Sequence, residues 1–134
     1  MASPESALPD PDEGGPLRVL VVDDDRVQQL LLTTHLEAGG CVVDVADDGQ
    51  EALDLWRAHH HRLVITDCRM PRMDGYELAR TLRAESGGSA VHVVGTSADT
   101  EDAPLALAAG MEQLLAKPVP REELLALCRR ARQG

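Results

Sequence analysis

Between Leu17 and Arg130 the chain repeats one unit: a short apolar run, a polar or glycine-rich turn, and a longer stretch with helical spacing. Leu17–Val22 is a continuous apolar run broken only by Arg18 and reads as a buried strand; Cys41–Ala46, Leu63–Thr66, Val91–Val94 and the short stretch Glu112–Ala116 read as the other four. Nearly continuous apolar runs of this kind belong to strands covered on both faces. Helical patterns fill the intervals at Arg26–Ala38, Gln50–His60, Asp74 to about Glu85, Asp99–Ala109 and Pro120–Arg130. Gly39-Gly40, Ser86-Gly87-Gly88 and Gly110 end helices, and Asp47-Asp48-Gly49 forms a turn and cap. The expected inward faces are Val27, Leu30, Leu31 and Thr34 on the first helix, Ala52, Leu53 and Trp56 on the second, and Leu124, Leu125, Leu127 and Cys128 on the last. Strict alternation with short loops predicts an α/β fold, an open parallel sheet with helices on both sides.

In such sheets the working site lies at the carboxyl ends of the strands. The first strand ends in Asp23-Asp24-Asp25, the third in Asp67, the fourth in Thr96-Ser97 and the fifth in Lys117. Asp47 and Asp48 follow the second strand but sit beside Gly49 at a helix start, where they read as caps. Lys117 is the only lysine in the chain, against twelve arginines. A lone ammonium at a strand end marks a position that needs a compact point charge.

Clustered carboxylates repel one another and resist ionisation unless a cation joins them. A hard divalent ion such as Mg²⁺ takes one or two carboxylates together with phosphate oxygen and water. A carboxylate beside that ion, faced by an ammonium and a hydroxyl, is equipped to receive a phosphoryl group.

Composition narrows the partners. The formal net charge is −10, which disfavours nucleic acid and anionic membrane surfaces. No apolar run nears the roughly 20 residues of a membrane span, and no signal peptide is evident, so a cytoplasmic location is expected. With no Phe, one Trp and one Tyr, the core must be aliphatic. Cys41, Cys68 and Cys128 are widely spaced and read as small packing residues. Residues 1–16 are rich in Pro, Gly and acid and are expected to form a disordered linker. Leaving out their four acids puts 19 acids against 13 bases in the rest, a charge of −6. The linker suggests a domain taken from a larger chain, and no further domain is expected after the last helix.

The motifs Val19-Leu20-Val21-Val22-Asp23-Asp24-Asp25, Val64 through Gly75 (with Thr66-Asp67-Cys68-Arg69-Met70-Pro71), Ser97-Ala98 and Lys117-Pro118 together resemble the receiver domains of two-component response regulators. The likeness covers about residues 17–132 and is greatest to receivers fused to hybrid sensor histidine kinases. It implies a flavodoxin-like (βα)5 fold with strand order 2-1-3-4-5. It implies Asp67 as phosphoacceptor and Asp23, Asp24, Asp67 and the Arg69 backbone carbonyl as Mg²⁺ ligands. Ser97 is then the switch hydroxyl rather than Thr96, Lys117 the phosphoryl partner, and Lys117–Pro118 a cis peptide. The implied function is Mg²⁺-dependent transfer from a phosphohistidine to Asp67, with relay or signalling onward. The implied partners are a histidine kinase domain, a histidine phosphotransfer domain, or both. The domain is expected to be a monomer, and not a stand-alone enzyme beyond its own phosphorylation and dephosphorylation.

Leu114 departs from the family pattern, which often has an aromatic three residues before the lysine. Asp25 is expected to be exposed, and Arg69 and Asp99 to flank the site and govern water access. His59, His60 and His61 read as a solvated helix end, His35 as a surface residue and Trp56 as core. Two other readings stand beside this one. Asp23-Asp24-Asp25-Arg26-Val27 fits the motif of haloacid-dehalogenase-type phosphatases, with Asp23 as nucleophile and Asp25 as general acid, but leaves Asp67 unexplained. A receiver fold that binds partners without being phosphorylated is the other.

Overall fold

The computed structural model describes residues 16–70, 72–87 and 91–133, so almost all of the expected linker lies outside the described residues. Five strands, β1 (Arg18–Val22), β2 (Val42–Ala46), β3 (Leu63–Asp67), β4 (His92–Ser97) and β5 (Gln113–Ala116), form one parallel sheet in the order β2-β1-β3-β4-β5. The helices are α1 (Arg26–Ala38), α2 (Gly49–His59), α3 (Gly75–Ser86), α4 (Ala103–Ala108) and α5 (Arg121–Gln133). The expected fold class and strand order hold.

Alternation along the strands builds two cores. Val19, Val21, Leu63, Ile65 and Val94 face α1 and α5, where they meet Leu32, Leu36, Leu124 and Leu127. Leu20, Val22, Val64 and Val93 point the other way, onto Ala52, Leu53 and Trp56 of α2, Leu78 and Leu82 of α3, and Ala106 of α4. Trp56 is core, as expected.

Four sequence expectations change. On α1 the buried residues are Gln29, Leu32 and Leu36, while Val27, Leu30 and Leu31 are 64%, 67% and 42% exposed and Thr34 is exposed too. The helix carries two apolar stripes, and the Gln29 amide decides between them. It donates to the Asp23 backbone carbonyl at 2.5 Å and to Asp47 at 2.6 Å, which a solvent-facing Gln29 could not do. His61 is buried rather than solvated: its Nε2 lies 2.7 Å from Asp44 Oδ2, while His59 and His60 remain exposed. His35 is half-buried. The helix expected from Asp99 to Ala109 is a 3-10 turn at Thr100–Asp102 followed by the six-residue α4, with Pro104 in its first turn. Pro104 lacks the N–H that would join the two into one regular helix.

Cys41 and Cys128 are free and buried, with their sulfurs 3.5 Å apart between β2 and α5.

Candidate functional site

The strand ends converge because the ladders are in register. Val22 pairs with Thr66, Asp67 with Thr96, and Ser97 with Ala116. The residues that follow, Asp23, Cys68 and Lys117, keep backbone bonds to Ala46, Thr96 and Ser97 at 3.1, 3.1 and 2.9 Å. Asp23, Asp67 and Lys117 are therefore carried on rigid backbone. Asp24 is exposed beside them, and carboxylate oxygens of Asp23, Asp24 and Asp67 lie within 4.8 Å of one another.

Lys117 Nζ sits 3.0 Å from Asp23 Oδ2 and 3.1 Å from Asp67 Oδ2. Burial works against its charge, but hydrogen bonds and attraction from Asp23 and Asp67 prevail and hold it above an ordinary lysine. Burial pushes the Asp23 carboxyl above the usual aspartate range, against the pull of the Asp25 N–H and Lys117. The Arg69 backbone N–H donates to Asp67 Oδ1 at 3.3 Å, and Lys117–Pro118 is cis.

Gly75, at the start of α3, is held against the end of β3. Gly75 N–H donates to the Cys68 carbonyl at 3.1 Å, and a Cβ on Gly75 would overlap the Asp67 carbonyl oxygen. Asp74 caps α3 by accepting from Glu77 N–H at 2.9 Å. Glycine is needed here for close approach rather than for an unusual φ.

The hydroxyls are arranged less simply. Thr96 is buried, and its Oγ1 has no hydrogen-bond partner among the described residues. Ser97 Oγ accepts from Asp99 N–H at 3.0 Å and donates to Asp102 Oδ2 at 3.0 Å. The Arg69 guanidinium also goes to Asp102, at 2.6 and 3.3 Å, and not to Asp99. Sequence reasoning missed Asp102, because nothing in its spacing separates it from the other acids of the Asp99–Asp102 stretch. It also missed Asp25, which is exposed as expected but caps α1 by accepting from Val27 N–H at 2.8 Å. Asp48 does cap α2, as its place before Gly49 predicted, and it also pairs with Arg72.

A family model of the response regulator receiver domain matches residues 19–129. The chain belongs to the receiver domain family. Its receiver domain is 44% identical over 110 residues to virulence sensor protein BvgS of Bordetella pertussis, covering 77% of this chain and 9% of that protein. It is 40% identical over 114 residues to response regulator MprA of Mycolicibacterium vanbaalenii, covering 85% of this chain and 49% of that protein. Chemotaxis response regulator CheY4 of Vibrio cholerae has the same fold at a TM-score of 0.79, with 29% identity, covering 87% of this chain and 98% of that one. The receiver domain thus spans half or less of the two full-length relatives. Its function is that of a phosphoryl-accepting receiver in two-component signalling.

Proposed function

We propose that Asp67 is the phosphoacceptor, that a phosphohistidine is the donor, and that Asp23, Asp24, Asp67 and the Arg69 carbonyl hold Mg²⁺. The observation that carries this reading is Lys117 lying 3.0 and 3.1 Å from Asp23 and Asp67 with Asp24 alongside. The donor set suits Mg²⁺: three carboxylates share the site, and one ammonium cannot offset them all. When bound, the ion would offset the negative charge of the carboxylates and of the phosphoryl oxygens.

The chain's own residues then have distinct tasks. An Asp67 carboxylate oxygen attacks the donor phosphorus, the P–N bond breaks, and the imidazole departs as the acyl phosphate forms. Lys117 stands where it can follow charge from the Asp67 oxygen to the phosphoryl oxygens. Asp23 keeps Lys117 in place, and Ser97 supplies a hydroxyl to the phosphorylated form. The domain acts on itself, in its own phosphorylation and dephosphorylation, rather than as a stand-alone enzyme. The phosphatase alternative is disfavoured because Asp25, its required acid, is turned back to cap α1.

The partner is a histidine kinase or histidine phosphotransfer domain, and the exposed Val27, Leu30 and Leu31 on α1 are its docking residues. They follow directly on Asp23-Asp24-Asp25, so a helical partner laid on α1 would bring its histidine to Asp67. Similarity to part of a sensor protein supports a place within, or opposite, a sensor kinase in the cytoplasm. The receiver unit is assigned to residues 17–132. The test is phosphotransfer from a phosphorylated histidine phosphotransfer protein to wild type and Asp67→Asn, with and without Mg²⁺. Label on wild type only, and only with metal, is expected; undiminished label on Asp67→Asn overturns the assignment.

A further inference from the structure

Ser97 Oγ carries one hydrogen, and Asp102 Oδ2 accepts it at 3.0 Å. A phosphoryl oxygen on Asp67 would need that same hydrogen. Asp102 is 5% exposed and closes the 3-10 turn that leads into α4. Its carboxylate also takes both donors of the Arg69 fork, at 2.6 and 3.3 Å, and Arg69 stands two residues after Asp67. One carboxylate therefore holds the hydroxyl at the end of β4 and the side chain on the loop after β3. Arg69 and Ser97 keep the Asp102 carboxyl below the usual range, so it is a charged acceptor at neutral pH.

Resting on the proposed role of Asp67, we propose that Asp102 is a positioning residue that competes with the phosphoryl group for the Ser97 hydroxyl. Phosphorylation then costs the Ser97–Asp102 bond, and α4 receives the change through the 3-10 turn. This supplies a readout that does not depend on an aromatic at Leu114. Arg69 remains on Asp102 in both states and keeps the carboxylate charged. Because the competing bond has a charged acceptor, its loss matters more than that of a neutral hydrogen bond. A receiver held mostly in the Ser97–Asp102 state binds a phosphoryl mimic more weakly in proportion to that state's population.

The experiment titrates beryllofluoride with Mg²⁺ into wild type, Asp102→Ala, Ser97→Ala and the double variant, with binding read by NMR. Asp102→Ala is expected to bind roughly tenfold more tightly than wild type. In the Ser97→Ala background the same substitution is expected to change nothing, which a merely structural role for Asp102 would not produce. Amide exchange of Thr100 to Ala108 in unliganded Asp102→Ala should match that of beryllofluoride-bound wild type. Unchanged or weaker binding by Asp102→Ala, or an equal gain in both backgrounds, overturns the proposal. Should Asp102→Ala fail to fold, Asp102→Asn decides: its amide oxygen is the poorer acceptor, so binding must tighten at least about twofold. A wild-type domain that responds neither to beryllofluoride nor to a phosphodonor overturns the function itself, and this inference with it.

Discussion

Lys117 Nζ lies 3.1 Å from the Asp67 carboxylate and reaches it from the end of β5, two strands away across β4. Its second contact, 3.0 Å to buried Asp23, holds it there before any ligand arrives. Lys117→Ala should slow phosphorylation of Asp67 by about 100- to 1000-fold, the usual cost of removing one aimed electrostatic group. Lys117→Arg should recover only a small part of that, because a planar fork cannot replace a point charge between two carboxylates. Label incorporation from acetyl phosphate over time measures both.

Gly75 cannot carry a side chain while its backbone stays packed against the Asp67 carbonyl. Gly75→Ala should destabilise the domain by roughly 1–3 kcal/mol, the range for overpacking a tight site. Urea unfolding measures that loss. Phosphorylation should fall as well, since the displaced backbone belongs to Asp67 itself. An alanine variant as stable as wild type would show that Gly75 and Asp67 can separate without cost.

Leu30→Glu and Leu31→Glu alter exposed positions and should leave stability within about 0.5 kcal/mol of wild type. If α1 docks the donor, each should slow transfer from a phosphohistidine protein by about tenfold, the effect of losing one good apolar contact. Phosphorylation by acetyl phosphate should hardly change, because a small donor needs no docking face. Equal slowing with both donors would place the defect at the site rather than on α1.

His61 should give the stability curve a slope below neutral pH. Burial holds its pKa below the ordinary 6.5, more strongly than the Asp44 carboxylate raises it. The unfolded chain takes up the proton near pH 6.5, while the folded chain resists it. The stability contribution is therefore complete above pH 6.5 and drains as pH falls from there toward the folded-state pKa. Between pH 7.5 and 5.5 the urea midpoint of wild type should drop more than that of His61→Gln. Equal drops would mean that the folded domain takes up the His61 proton as readily as the unfolded chain does.

The strands and the charged strand ends could be read from the sequence because they depend on local pattern. Apolar runs show where strands lie, and an acid directly after such a run has few places to go but the carboxyl edge. The orientation of α1 could not be read in this way. Three consecutive leucines at 30–32 allow two faces, and the choice rests on Gln29 reaching Asp23 and Asp47 across tertiary space. His61 misled for the same reason, since its partner Asp44 lies on β2, far away in sequence, and draws a buried imidazole out of what reads as a solvated helix end. Asp102 gained its place from a bond to Ser97, five residues back, and a long-range one to Arg69, neither of which a spacing rule encodes.

Trp56 is the chain's sole tryptophan, and its ring stacks edge-on to His60 at 5.0 Å. It shares a cleft with Arg62 and Val91, which directly precede β3 and β4. That is the amino edge of the sheet, opposite Asp67 and Lys117. Intrinsic fluorescence should thus report cooperative unfolding through one buried indole while staying nearly silent as the acyl phosphate forms. The molecule carries a folding reporter and a signalling centre at opposite poles, so the two equilibria can be followed separately in one cuvette.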